Sequence, residues 1–393
     1  TLLIRGYDQA HKLKRTRKTQ TYLQMKDSDI ASKIAQGAGL SAQTDATTTV
    51  HPFIMQTNQT DYEFLLERAR RLGYKLYVES KTLYFKKADP APPQGAELEW
   101  GINMDMFRAR LNTVDQVNEV IVRGWDPKGK QSIIGRATTP SSARQNRRDT
   151  NGHGGAVAQS AHGMKSTQVI VDRIPLNPDD ATKIAQAELD SIAANFIQAE
   201  GNAGGDPKLM AGTTIKVKGV GDRFGGEYQV TRAIHKWSTK GYSVHFWCNG
   251  GKGNNSLLDI VSSSNGNGGS PSSVGASESV TSRGVLAGIV TNNNDPDNLG
   301  RVKVKFPTLG DTEAYWCRLA TIMAGPGQGV AYFPEANDEV IVAFEHGDPN
   351  RGCILGSVWN GTDKLPKPIG QLVTGGQTIR RISRSRVGHE IVL

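Results

Sequence analysis

Between Asp295 and Gly361 the chain packs five or six short apolar runs between turn signals, and this spacing constrains the fold more than any other feature. Gly300-Arg301-Val302-Lys303-Val304-Lys305-Phe306 alternates basic and apolar residues with period two. One face of such a strand is wet and the other buried. Tyr315 to Ala320, Val330 to Phe333, Val340 to Phe344 and Ile354 to Trp359 follow at close intervals. Strands this short and this regular predict a small closed β-barrel of the OB type.

The whole chain has 393 residues, too many for one compact core, so two or three domains are expected. Its 44 glycines and 22% charged residues suit a strand-and-turn protein. No apolar run approaches the ~20 residues that a membrane helix needs, and no leader pattern opens the chain. It starts at Thr1 rather than Met and stops within an alternating run at Leu393, which reads as a piece of a longer protein. The three cysteines, Cys248, Cys317 and Cys353, are far apart and odd in number, with no CxxC. That pattern argues against a disulfide framework or a zinc site and fits folding in a reducing cytoplasm. Cys317 and Cys353 sit in apolar strands and read as small core residues.

The formal net charge is +9. Basic residues cluster from His11 to Lys18, from Arg144 to Arg148 and from Arg380 to Arg386. Nucleic-acid binding is one reading of such runs. Aromatic residues are not interleaved with them, as a single-strand stacking platform requires, so solvated faces and loops are the better reading.

Residues 1 to about 250 mix strands with three helices. Asp27 is expected to cap the first, with Ile30, Ile34 and Ala38 on one face and Gly37 and Gly39 at its end. Thr60-Asp61-Tyr62-Glu63 is a capping box that opens the second. Its stripe is Tyr62, Leu65, Leu66, Ala69 and Leu72, and Gly73 stops it. Asn177-Pro178-Asp179-Asp180 opens the third with Pro at the first helical position. Its stripe is Ala185, Leu189, Ile192 and Phe196, and Gly201 is expected to end it. Strands are expected at Lys75 to Glu79 with Thr82 to Lys86, and at Glu119 to Trp125, Thr213 to Gly219, Glu227 to Ser238 and Tyr242 to Cys248. The fold class is therefore mainly β with an α+β hub, a barrel carrying helical insertions. Residues 251–283, rich in Gly, Ser and Asn, read as a flexible tether. Ser141 to Met164 reads as a mobile excursion.

Motifs for catalysis are weak. Gly124-Trp125-Asp126-Pro127-Lys128-Gly129-Lys130 fits part of a phosphate-binding loop. Gln131 stands where Ser or Thr must hold magnesium, and Ser132-Ile133-Ile134 reads as a strand where a helix should begin, so a hairpin is the better reading. Gly219-Val220-Gly221 likewise reads as a hairpin. His235, His245 and Cys248 lie on neighbouring strands, but their spacing matches no zinc pattern. No GxSxG or HExxH occurs. Gly361 to Gly376 is too short to hold a lysozyme domain, and no separated acid pair suggests one. The expectation is no catalytic residue, no cofactor and no metal.

The strings DPDNLGRVKV, AGPGQG, FPEANDEVIVAF, EHGDP and ILGSVWNG resemble the OB domain of spike and hub proteins of contractile injection machines, the VgrG and phage baseplate hub family. One departure is Asn337, where the family has Gly. Asn tolerates positive φ, so the turn survives. RGYDQAHKLKRTRKTQTY, DSDIASKIAQGAGL, QTNQTDYEFLLERARRLGYKLYV and LYFKK resemble the hub domain of the same family. That resemblance implies a tandem-barrel hub with its second barrel complete. Only the last strands of the first would be present, at Thr1 to Arg5 and Thr19 to Met25. The string RSRVGHEI resembles the family's entry into a trimeric β-helix or prism, with His389 a structural turn residue.

The implied domains are a hub at 1–250, a linker at 251–283, an OB fold at 284–361, a connector at 362–383 and the start of the spike at 384–393. The resemblance implies a structural homotrimer that caps a tail tube and carries a membrane-piercing needle and cargo. Its implied partners are the tube protein, baseplate components, a spike-tip protein and effector cargo, with no specific nucleic acid. The basic surfaces would meet an acidic tube or cargo. It implies assembly in the bacterial cytoplasm and delivery within a phage tail-like particle. Turn strings near Phe306 and Trp359 favour the extracellular type. The alternatives are a spike with an effector enzyme fused beyond residue 393 and an OB-fold nucleic-acid binder.

Overall fold

The computed structural model describes residues 4, 6–88, 92–141, 154–239, 241–248, 285–310 and 312–393. The tether expected at 251–283 and the arginines from 144 to 148 lie outside the described residues. The chain divides into two compact units. The first comprises Thr1–Arg17, Gln24–His51 and Gln59–Ser279, the second Lys18–Leu23, Pro52–Asn58 and Val280–Leu393.

In chain order the elements up to the capping-box helix are α1 (His11–Lys14), β1 (Arg17–Lys26), α2 (Asp27–Gly37), β2 (Ser41–Thr44), β3 (Val50–Thr60) and α3 (Asp61–Leu72). Strands β4 (Tyr74–Glu79), β5 (Thr82–Lys87), β6 (Gln94–Glu99), β7 (Met104–Leu111), β8 (Glu119–Asp126) and β9 (Gln131–Ala137) follow. Then come α4 (Gly154–His162), β10 (Thr167–Ile170), α5 (Pro178–Ala193), β11 (Ile197–Gly204), β12 (Thr214–Lys218), β13 (Gly226–Gln229), β14 (Arg232–Ser238) and β15 (Gly241–Cys248).

Within the first unit a four-stranded sheet, β14-β15-β11-β7, shares one core with a three-stranded sheet, β13-β12-β6. Val244, Phe246 and Cys248 meet Leu98, Ile215, Val217 and Tyr228 in that core. A separate sheet, β10-β8-β9, is covered by α5. There Val120, Val122 and Ile133 pack on Ile184, Ala185 and Leu189, the stripe that the period of 3.6 residues requires. A third sheet, β2-β5-β4, carries α2 and α3 nearby.

Thr60 caps α3 as the sequence predicts. Its side chain accepts from Glu63 N, and the Glu63 carboxylate accepts from Thr60 N at 2.9 Å. Gly73 ends the helix in the left-handed region. Asn177 caps α5 by accepting from Asp180 N at 2.8 Å.

Four expectations in this unit are corrected. Asp27 is the first helical residue of α2 and caps nothing, because its carboxylate is taken by Arg68 and His51. Helix α5 ends at Ala193, and Gly201 lies inside strand β11. A Cβ at Gly201 would sit 2.3 Å from Phe246 Cζ, so the glycine serves close packing rather than a helix end. Glu227 to Ser238 is two strands in two different sheets, with Val230 and Thr231 carrying the chain round the corner between them. Part of the Ser141 to Met164 excursion is the helix α4, whose Gly154, Gly155 and Ala158 are buried. Phe64 also joins the buried face of α3, which the sequence stripe omitted. Of the first-barrel remnant, Thr19 to Met25 lies in β1, which pairs with β3, while residues 1–3 and 5 lie outside the described residues.

The second unit holds β16 (Val285–Asn292), β17 (Val302–Phe306), β18 (Thr312–Leu319), the two-residue strands β19 (Ala324–Gly325) and β20 (Gln328–Gly329), β21 (Glu339–Phe344) and β22 (Gly352–Ser357). A closed barrel forms in the order β16-β17-β18-β22-β21. All neighbours are antiparallel except β18 and β22. Val302, Val304 and Phe306 point inward as the alternation predicts, against Val290, Val340, Val342 and Ile354. Val330 to Phe333 is not a strand; β19 and β20 make a small ribbon just before it. Phe53 and Met55 of β3 complete the barrel core. The Tyr22 hydroxyl of β1 meets Gln56 Oε1 at 3.3 Å beside them.

Candidate assembly surface

The DPDNLGR turn of the barrel is built around a buried charge. Asp295 accepts backbone N–H groups from Asp297, Leu299 and Arg301 at 3.0 to 3.1 Å. Arg301 adds Nε at 3.0 Å and Nη2 at 2.6 Å, and its Nη2 also reaches Asp297 at 2.8 Å. Arg301's hydrogen bonds hold the Asp295 carboxyl well below the usual carboxylate range despite its burial. Asn337 has φ +76°, so this turn keeps the geometry that glycine would give, and its N–H donates to Val290 O at 2.9 Å. His346 of the EHGDP string also adopts positive φ.

Beyond the barrel the chain forms two small hairpins, β23 (Val373–Thr374) with β24 (Gln377–Thr378), and β25 (Ile382–Arg384) with β26 (Glu390–Val392). The second hairpin begins inside the stretch expected to be a connector. Gly388, with φ +94°, turns its corner, and His389 N donates to Ser385 Oγ at 3.0 Å within the turn. Polar contacts hold this hairpin in the second unit. Arg386 pairs with Glu335 at 2.5 Å and Asp338 at 3.3 Å, and Ser383 Oγ lies 3.2 Å from Tyr332 OH. Glu390 meets Lys367 at 3.4 Å. By register Ile391 shares a face with Ser383, and Val392 with Ile382.

Each face carries an open apolar side chain: Ile391 is 63% exposed on one and Val392 50% on the other. Among the described residues β25 and β26 pair only with each other, and a ribbon with open edges and open apolar side chains is a surface that further strands can complete.

The enzyme-like motifs dissolve into ordinary structure. Asp126 to Gln131 is the hairpin between β8 and β9, with Lys128 N donating to Asp126 Oδ1 at 2.9 Å. Gly219 and Gly221 occupy the β12–β13 turn at positive φ. His245 pairs with Ile234 across the sheet while His235 pairs with Val244, so the two rings project from opposite faces. His235 Nδ1 lies 2.7 Å from Tyr242 OH, His245 packs edge-on against Trp247, and Cys248 is fully buried in the core. Burial pushes the Cys248 thiol far up and Cys317 to about 12. Cys317 lies in the barrel core and Cys353 is half-buried. Among the described residues no three His, Cys, Asp or Glu side chains gather to hold a metal. The basic residues from His11 to Lys18 are exposed, and Leu13 between them is buried.

One polar cluster was not visible in the sequence. Asp27, 1% exposed, takes Arg68 Nε at 2.5 Å and His51 Nε2 at 2.9 Å. Burial opposes its ionisation, but the Arg68 guanidinium and the His51 hydrogen bond together hold its carboxyl far below the usual range. Its partners are 24 and 41 residues away, so no local pattern points to them.

Comparison with known proteins fits this architecture. Residues 286–359 match the type VI secretion system and phage-baseplate injector OB domain. The type VI secretion system spike protein VgrG3 of Vibrio cholerae is 37% identical over 75 residues, covering 18% of this chain and 7% of that protein. The spike protein VgrG1c of Pseudomonas aeruginosa is 33% identical over 93 residues, covering 22% of this chain and 13% of that protein. The chain thus spans only a small part of the curated relatives it matches. The solved structure of the E. coli c3393 protein, described as a type VI secretion component similar to T4 tail proteins gp27 and gp5, covers 89% of this chain and is itself covered to 76%. At TM-score 0.50 and 15% identity it shares the fold. The chain is VgrG-like, with a mainly β hub and an OB barrel. A family model described as the Alg8 N-terminal domain matches residues 1–239, more than half of the 393, and the chain belongs to that family.

Proposed function

We propose that this chain is the structural hub and the root of the spike in a contractile injection machine of phage tail-like form. The observation that carries this reading is the closed barrel of residues 285–357, which coincides with the injector OB match and continues into a hairpin with open apolar faces. The hub caps a tail tube, and three chains intertwine beyond the barrel into a β-prism. Three chains that each give two similar barrels would present six similar surfaces to a sixfold tube. Piercing force comes from contraction elsewhere in the machine, and this chain contributes rigidity and a large interface. The tube protein, baseplate components, a spike-tip protein and cargo are the partners, with exposed basic surfaces facing acidic ones. Assembly takes place in the bacterial cytoplasm, and the particle acts outside the cell, the extracellular type being favoured.

The test is to label the chain with an epitope in its natural host and image purified particles. The label is expected at the leading end of the tube, one cluster per particle. Label along the sheath, or intact particles in a strain lacking the chain, would contradict the reading.

A further inference from the structure

In the sheet β14-β15-β11-β7 one face forms the hub core, and Ala233 of β14 packs on that core. Arg232, Ile234 and Lys236 alternate with it and project from the outer face. All three are exposed, Ile234 by 42%. In register beside them on β15 stand Trp247, His245 and Ser243, each half-buried. Strand rise sets Arg232 and Lys236 about 13 Å apart, with Ile234 midway.

Charge on this half of the face has one sign. The Arg232 guanidinium lies 4.6 Å over the Trp247 ring, and among the described residues no carboxylate pairs with it or with Lys236. Strands β14 and β15 hold no acid at all. The acids of the sheet stand on β11 and β7 and are engaged there. Glu200 meets Arg108 at 3.4 Å, and Asp105 takes the Asn202 amide at 2.8 Å.

We propose that the β14–β15 half of this face docks an acidic segment of a partner polypeptide, with carboxylates on Arg232 and Lys236 and an aliphatic side chain between them on Ile234. A carboxylate on either cation forms a charge-assisted hydrogen bond, and covering Ile234 removes apolar area from water. A single-stranded nucleic acid also carries spaced anions, but it needs open rings on which successive bases stack. Trp247 lies under Arg232 with His245 edge-on at 4.2 Å, which leaves no such platform. An acidic partner is the kind that the hub reading requires, and this docking rests on that reading. Particle imaging tests the hub and peptide binding tests this face, so the two can fail separately.

The probe is a fluorescein-labelled nonapeptide in which Glu, Leu, Glu, Leu and Glu alternate with Ser. Extended, it presents Glu, Leu and Glu on one face at the spacing of Arg232, Ile234 and Lys236. It is titrated against the full chain by anisotropy in ~50 mM salt, where exposed charges are weakly screened. Saturable binding at about 0.1 mM or tighter is expected. Lys236→Glu should weaken it by about tenfold or more with an unchanged melting temperature, and Lys236→Arg should keep it. A peptide of the same composition with its three glutamates together at one end should bind by about tenfold less tightly. Oligothymidylate of nine nucleotides should bind less tightly than the first peptide. Absence of saturable binding, equal binding of the rearranged peptide, indifference to Lys236→Glu, or tighter binding of oligothymidylate would each overturn the proposal.

Discussion

The side-chain Oδ1 of Asn350 accepts the backbone N–H of Met55 at 2.8 Å, although 295 residues separate them in the chain. Asn350 belongs to the EHGDPN turn of the barrel, and Met55 lies in the barrel core beside Phe53. The barrel core is therefore completed by side chains from far upstream. Met55→Ala should destabilise the second unit by about 2–5 kcal/mol, the range for truncating a buried large side chain. Asn350→Ala should cost about 1–2 kcal/mol by leaving that N–H without its acceptor. Chemical denaturation followed through the barrel's Trp316 and Trp359 reads both. An effect under about 0.5 kcal/mol for Met55→Ala would mean that the barrel core does not depend on this side chain.

The Asp295–Arg301 turn makes a prediction about acid. The folded pKa of Asp295 lies below its unfolded value of about 3.9, so the stability it contributes is fully present above that value. It is lost as pH falls through the folded pKa. Asp27 behaves in the same direction through Arg68 and His51. At pH 7 Arg301→Ala should cost about 2–3 kcal/mol. The gap between parent and Asp295→Asn should narrow below about pH 4, as the parent carboxyl is protonated. A gap that stays constant from pH 7 to pH 2 would contradict the assignment.

In the hub, Gly201→Ala should destabilise by about 2 kcal/mol or more, because the new methyl meets the Phe246 ring inside a packed core. Thr60→Ala should cost about 1 kcal/mol through loss of the capping box. Thermal unfolding of the two variants gives the order directly. A Gly201→Ala protein as stable as the parent would show that the sheet core has room that the structure lacks.

The barrel should not bind single-stranded nucleic acid specifically. Acids answer Arg301, through Asp295 and Asp297, and Lys303, through Glu313. Phe306 is buried in the core. The exposed aromatics Tyr332, Phe333 and Trp359 lie outside β17. Single-stranded DNA titrated in ~150 mM salt should give no saturable binding, since the ionic contribution is weak there. Submicromolar affinity at that salt would overturn the reading.

What the sequence made legible was local. The alternation from Arg301 to Phe306, the Thr60 box and the Asn177-Pro178 start each lie within one element, and each is where the pattern puts it. What it concealed was tertiary. The corner at Val230 reads as uninterrupted strand because both flanking runs alternate, and only the two-sheet core breaks them apart. Asp27 looks like a cap until Arg68 and His51 arrive from elsewhere. Val330 to Phe333 has a strand-like composition, yet Tyr332 and Phe333 stay exposed in a loop. The RSRVGHEI string was readable in the sequence, but its hold on Glu335 and Asp338 through Arg386 was not.

The central claim is a structural trimer joined beyond the barrel, and the mass of the full-length protein in solution tests it most directly. Light scattering at micromolar concentration should give three times the mass of one chain. Ile391→Asp, which puts a charge on the open hairpin face, should shift the population toward monomer while the hub keeps its melting temperature. A full-length parent that remains a monomer across that concentration range would contradict the account.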